Sequence, residues 1–194
     1  MSAGATRLAT YQDLLDLPED THAEVLSGTI VTTPSPLPKH AKVQGALRSF
    51  IGKPYDDDDG FGGPGGWWIF PEVDVQLGPH DVVRPDLAGW RRKRLADPAE
   101  TRPILIPPDW VCEVLSPSTA TRDRVDKSQL YAAHGVAFYW LVDPDSRTLE
   151  TFRLSDGHWT LSGTFHDGHV ARIPPFEEVE LHIGRLFLPK TVGA

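Results

Sequence analysis

The sequence of 194 residues has 27 acidic and 19 basic residues, a formal net charge of -8, 40% hydrophobic residues and a single cysteine. This composition is that of a folded chain and excludes a disordered one. No apolar run approaches the roughly 18 residues of a membrane span, and one cysteine excludes an internal disulfide. The first residues lack the pattern of a secretory signal. We therefore expect one cytoplasmic domain over residues 1–194, with no membrane partner.

The acidic composition, with a pI near 5.4, argues against binding of nucleic acid by overall charge. Proteins that hold nucleic acid by bulk charge are usually basic, because each phosphate contact needs a cation. Binding to DNA would therefore require a local basic patch or a metal ion.

The first third of the sequence predicts two helices separated by a hairpin. Thr10 to Leu17 begins with a capping-box-like pair, Thr10 and Asp13, and predicts a short helix. Ala23 to Thr33 alternates around Ser27-Gly28 and predicts a hairpin. Lys39 to Ile51 predicts a longer helix, because its apolar residues recur at the helical period. The run from Asp56 to Asp59 and the glycines from Gly60 to Gly66 predict a mobile loop.

From Trp67 onwards the sequence is rich in strands. Val73 to Leu77 and Val82 to Trp90 predict a hairpin, in which Glu72 would lie opposite Asp86. Further strands are predicted over Trp110 to Leu115, Phe138 to Val142, Arg147 to Leu154, Trp159 to Phe165 and Val179 to Leu188, with a helix from about Thr121 to His134. This order predicts an α/β or α+β fold with a mixed β-sheet flanked by helices.

Two carboxylates lie inside apolar strand sequence. Asp86 follows Pro85, and Glu113 lies within Trp110 to Leu115. A buried carboxylate is costly unless a cation or hydrogen bonds compensate it. A structural salt bridge, for example with Arg84, is the alternative for either acid alone. Two acids on adjacent strands with a lysine soon after favour metal binding.

These residues resemble the active-site half of the PD-(D/E)XK nuclease superfamily. The usual pattern has a lysine two residues after the second acid, where this sequence has Leu115, and Lys127 follows in the next helix. That displaced lysine resembles one branch, the Uma-two family of restriction-endonuclease-like proteins. The matching stretches are Arg84 to Leu87, Pro108 to Thr119, Asp123 with Lys127 and Tyr131, Gly135-Val136, Tyr139 to Pro144, the hairpin from Glu24 to Gly28, and His40.

The resemblance implies a restriction-endonuclease-like core and an Mg²⁺- or Mn²⁺-dependent endonuclease that acts on DNA. It implies that Asp86 and Glu113 bind the metal, while Lys127 positions water or stabilises charge. It also implies a homodimer. The alternative is a non-catalytic member of the fold that binds nucleic acid or protein.

Three further residues have candidate supporting roles, each with an alternative. Glu72 is otherwise a solvent-facing strand acid, Glu24 a partner in a hairpin salt bridge, and His40 a helix-cap residue. Tyr131 is expected to pack against the sheet. The basic cluster Arg91, Arg92, Lys93 and Arg94 is either a solvated loop or a surface that contacts phosphates.

Overall fold

The protein is described here by a computed structural model that covers residues 7–57 and 62–190. Its α-helices are α1 (Tyr11–Leu15), α2 (Pro38–Tyr55), α3 (Ala120–Arg122) and α4 (Ser128–Ala133). Its strands are β1 (Ala23–Leu26), β2 (Thr29–Thr32), β3 (Trp67–Phe70), β4 (Val75–Gly78), β5 (Asp81–Val83), β6 (Leu87–Arg91), β7 (Trp110–Val114), β8 (Phe138–Asp143), β9 (Thr148–Ser155), β10 (His158–His166), β11 (Val170–Ala171) and β12 (Leu181–His182). A π-helical turn (Asp123–Lys127) joins α3 to α4, and we call the continuous segment 120–133 the site helix.

The strands form a mixed sheet, as predicted for this fold class. Six strands lie in the order β10-β9-β8-β7-β6-β3, in which β7 and β8 are parallel and the other neighbours antiparallel. A second sheet has the order β2-β1-β5-β4. The chain passes from the second sheet to the first between β5 and β6, so the residues between these strands lie where the two sheets meet.

Strand β7 is buried on both faces, which its almost continuous apolar sequence predicts. Trp110, Cys112 and Val114 pack in the core beneath α2. Val111 and Leu115 pack in a second core with Tyr131 of the site helix. Because side chains alternate along a strand, Glu113 shares the face of Val111 and Leu115 and is directed towards the site helix.

The core beneath α2 is organised around one aromatic ring. Phe176 is fully buried, and its ring centroid lies 5.0 Å from that of Trp110 and 5.0 Å from that of Trp67. Tyr55 and Trp140 contact the same ring, at 4.8 and 5.8 Å. Such tilted and edge-on arrangements are the favoured geometries of aromatic pairs. This core holds β6 and β7 in place from the side opposite the site helix.

The structure confirms the short N-terminal helix and the hairpin. Thr10 N–H and Asp13 Oδ2 are 2.7 Å apart, so the predicted capping pair is formed. Ser27 and Gly28 have positive φ angles of 49° and 75°, the backbone that tight hairpin turns require. The helix predicted to end at Ile51 continues to Tyr55.

Two strand predictions were wrong. The strand predicted over Val82 to Trp90 is two strands in different sheets, separated by Arg84-Pro85-Asp86, because Pro85 cannot donate a ladder hydrogen bond. The strand predicted over Val179 to Leu188 is reduced to Leu181–His182, followed by a 3₁₀ turn. That turn buries Ile183 and Leu186, three residues apart, on one side, a spacing that suits a helix and not a strand.

Part of the predicted mobile loop, residues 58–61, lies outside the described residues. The predicted loop begins at Asp56, which is described. Asp56 is buried at the end of α2, and its carboxylate lies 2.6 Å from Arg48 Nη2. None of the helices in the described part of the chain has the length and apolar character that crossing a membrane requires.

Candidate active site

A cavity of about 400 Å³ opens where the two sheets meet the site helix. Six acids and bases singled out in the sequence line it together: Glu24, His40, Glu72, Asp86, Glu113 and Lys127. They come from β1, α2, the segment before β4, the segment between β5 and β6, β7 and the site helix. The fold therefore collects residues that are more than 100 positions apart in the sequence.

Asp86 and Glu113 are direct neighbours, because β6 and β7 pair with Leu87 opposite Cys112. The Asp86 N–H donates to Glu113 Oε2 at 3.3 Å, and the Val114 N–H donates to Asp86 Oδ2 at 2.7 Å. His40 Nε2 lies 3.1 Å from Asp86 Oδ1. The two carboxylates are thus held side by side by backbone donors, with Asp86 the more exposed of the two.

Lys127 reaches these acids from the helix. Its Nζ lies 2.6 Å from Glu113 Oε1 and 2.9 Å from Glu24 Oε1, and the side chain is only 3% exposed. Leu115, at the strand position where the usual motif has a lysine, is instead buried in the core beneath the site helix. A lysine displaced onto this helix therefore delivers its nitrogen to the second acid as directly as a strand residue could.

The charges around Lys127 perturb one another strongly. Burial opposes the lysine's charge, but Glu113, Glu24 and Asp123 outweigh it and hold the pKa of Lys127 well above its ordinary value. Burial raises the pKa of Glu113 well above its usual range, and the neighbouring carboxylates add to this. Burial likewise raises the pKa of Asp123 to about 6. The cluster thus combines a lysine whose pKa is raised with two acids, Glu113 and Asp123, whose pKa values are also raised by burial.

Two residues of this cluster were not among the predicted site residues. Asp123 Oδ1 lies 3.9 Å from Lys127 Nζ, and the Tyr131 hydroxyl donates to Glu113 Oε1 at 2.6 Å. Tyr131 also packs against Tyr139 of β8, as the sequence predicts, at 5.3 Å between ring centroids. Both residues were recognisable from their spacing, since each is four positions from Lys127 and shares its helix face.

Glu72 lies beside Asp86, as predicted, although the hairpin ends before reaching them. Gln44 of α2 joins the two, since its Nε2 donates to Glu72 Oε1 at 2.9 Å and to the Asp86 carbonyl at 3.0 Å. Glu72 has a φ of 50°, a left-handed conformation that is costly for a residue other than glycine and that concentrates at functional sites. Burial by itself would lower the pKa of His40. The hydrogen bond to Asp86 and the negative charge of that carboxylate outweigh burial, so the pKa of His40 is raised.

The ligand chemistry of Asp86 and Glu113 fits a hard divalent cation. Mg²⁺ prefers carboxylate oxygens and keeps several waters, so two protein carboxylates suffice. Each carboxylate oxygen can accept about two hydrogen bonds, so the single donor on Asp86 Oδ1 leaves it capacity for a ligand bond. Within the described residues, no group of three or more His, Cys, Asp or Glu side chains has metal-ligand geometry.

The basic cluster does not reach this cavity. Arg91 ends β6, while Asp86 precedes its start, so about five residues of strand, roughly 16 Å, separate them. The Arg92 guanidinium stacks on Trp68 at 4.1 Å, and Arg94 Nη1 lies 2.9 Å from Asp109 Oδ1. The structure therefore does not bring Arg91, Arg92, Lys93 and Arg94 to the candidate site. They lie at and beyond the end of β6, and Asp86 lies before its beginning.

The restriction-endonuclease-like fold predicted from the sequence is supported by comparison with solved structures. The chain is similar to the crystal structure of a putative nuclease belonging to DUF820 from Anabaena variabilis, with a TM-score of 0.73 and 26% identity, over 92% of this chain and 97% of that one. The Uma2 family, described as "Putative restriction endonuclease", matches residues 8–184. The chain belongs to this family, which confirms the resemblance found in the sequence. Comparison of this chain with curated proteins found no match.

Proposed function

We propose that the chain is a divalent-metal-dependent endonuclease that hydrolyses DNA phosphodiester bonds in this cavity. The observation that carries the proposal is the buried Lys127 ammonium, 2.6 Å from Glu113 Oε1, with Asp86 directly beside that acid. Two adjacent acids can hold a divalent cation, and a lysine beside them can stabilise developing negative charge, which suits metal-assisted phosphodiester hydrolysis.

Asp86 and Glu113 would hold Mg²⁺ or Mn²⁺. A bound ion of this kind supplies Lewis-acid polarisation of a phosphoryl oxygen and a water of lowered pKa. Lys127 carries its charge at Nζ, from which it can donate a hydrogen bond to the attacking water or to the phosphoryl oxygen as negative charge develops there.

The remaining residues hold these groups in position. Glu24 and Asp123 keep Lys127 charged, and Tyr131 orients the Glu113 carboxylate through its hydroxyl. Gln44 fixes the backbone of Asp86 and the carboxylate of Glu72. His40 donates from Nε2 to the Asp86 oxygen that is open to a ligand, so it positions that carboxylate.

The substitution Asp86→Asn tests the proposal, because asparagine keeps the acceptor for the Val114 N–H and removes the charge. We expect wild type to nick plasmid DNA with millimolar Mg²⁺ and not with EDTA, and Asp86→Asn to lose this cleavage. Asp97→Asn, an exposed acid outside the cavity, is the matched control and should cleave as wild type does. Cleavage by Asp86→Asn at the wild-type rate would refute the assignment.

A non-catalytic binding module is the second candidate, and one observation favours it. All four oxygens of Asp86 and Glu113 lie within hydrogen-bonding distance of protein groups, so the acids are stable without a cation. Calorimetric titration with Mg²⁺ and Mn²⁺ separates the candidates. Saturable binding that Asp86→Asn abolishes supports the nuclease, while no binding at millimolar metal supports the module.

A further inference from the structure

One cation on the cavity wall has no partner among the described residues. Arg122, near the start of the site helix, lines the cavity, and its Nη1 is buried without a hydrogen bond to any described group. A buried donor left unpaired is costly, so such a group requires an explanation, and a bound ion or ligand is one of them.

The other cations of the cavity are all neutralised within the protein. Lys127 contacts Glu113, and Arg84 Nη2 lies 2.7 Å from Asp74 Oδ1. Lys39 forms an ion pair with Asp145. Arg122, which is half-buried, is therefore the cation of this wall for which the described residues offer no carboxylate.

Hydroxyl groups precede Arg122 on the same wall. Ser116 Oγ lies 3.1 Å from Ser118 Oγ and 3.0 Å from Thr119 Oγ1, and all three residues line the cavity. A guanidinium beside hydroxyl donors is the combination that binds phosphate oxygens, because the guanidinium forms paired, charge-assisted hydrogen bonds.

We propose that Arg122 binds a phosphate of the substrate's sugar–phosphate backbone and so fixes the phosphodiester against Asp86, Glu113 and Lys127. This inference rests on the proposed function for the identity of the anion. It assigns substrate binding to Arg122, in place of the Arg91 to Arg94 cluster, which an extended strand separates from the acids.

Binding of a fluorescently labelled DNA duplex at low salt in EDTA tests the inference without cleavage. We expect Arg122→Ala to weaken binding by about 10- to 100-fold, as loss of a charged hydrogen bond predicts. The slope of log K against log salt should fall by about 0.9, the value of one phosphate contact. Arg122→Lys should recover part of the affinity, since it keeps the charge and loses the planar fork.

Arg124→Ala is the matched control, because Arg124 lies on the same helix outside the cavity, paired with Glu150 at 2.6 Å. Thermal unfolding shows whether each variant is folded. Equal binding by the folded Arg122→Ala and Arg124→Ala variants would overturn the inference, as would a wild type that does not bind the duplex. Failure of plasmid cleavage alone would overturn the proposed function and leave this binding result intact.

Discussion

Replacing Asp123 with Asn should stabilise the protein at neutral and higher pH. Asp123 is almost fully buried beside Glu113 and Lys127, and burial raises its pKa from 3.8 to about 6. Below pH 3.8 the carboxyl is protonated in both the folded and the unfolded chain, so it adds no penalty. Between these values only the unfolded chain loses the proton, and the folded state is progressively destabilised as the pH rises.

The difference between about 6 and 3.8 corresponds to about 3 kcal/mol of lost stability once the pH exceeds about 6. The uncharged Asn removes this penalty and keeps an acceptor for Thr119, so Asp123→Asn should unfold with a free energy about 1–3 kcal/mol higher near pH 8. The gain should vanish near pH 4.

Urea denaturation followed by tryptophan fluorescence at a series of pH values measures this difference. Asp126→Asn, an exposed acid on the same helix, is the control and should change stability little at any pH. A variant Asp123→Asn that is less stable than wild type near pH 8, or more stable by the same amount at every pH, would refute the reasoning.

Two further substitutions test the site and the core. Lys127→Met should destabilise the chain by about 3–5 kcal/mol near pH 7, because it leaves buried Glu24, Glu113 and Asp123 without their cation; a loss below about 1 kcal/mol in urea denaturation would contradict the ion cluster. Phe176→Ala should cost about 3–5 kcal/mol, since it empties the centre of the core beneath α2; calorimetry that finds an unchanged melting temperature would contradict this role.

Much of the local structure follows from short-range chemistry. The Thr10–Asp13 capping pair, the Ser27-Gly28 turn and the apolar strand β7 are each determined by residues within a few positions of one another. The two strand errors overlooked local signals of this kind. The segment from Val82 to Trp90 alternates well enough for one strand, but Pro85 interrupts it and its two halves pair in different sheets. The three-residue spacing of Ile183 and Leu186 is that of a helical turn.

The identity of the two central acids was also predictable, because a carboxylate inside apolar strand sequence is conspicuous at any position. Their connection to Lys127 was predictable only through family resemblance, since Leu115 occupies the expected position of the lysine. The basic cluster shows the opposite case. It follows Asp86 closely in sequence, yet the length of β6 separates it from Asp86 in the structure.

The sequence by itself indicated the fold class, through apolar periodicity, and the family, through the matching motifs, and with the family it indicated Asp86, Glu113 and Lys127 as candidate site residues. The tertiary structure decided which charges meet. It brought Glu24, Asp123 and Tyr131 to the Lys127–Glu113 pair and left Arg122 without a carboxylate among the described residues. Electrostatic interactions depend on distance and burial, and both are set by the packing of two sheets against the site helix.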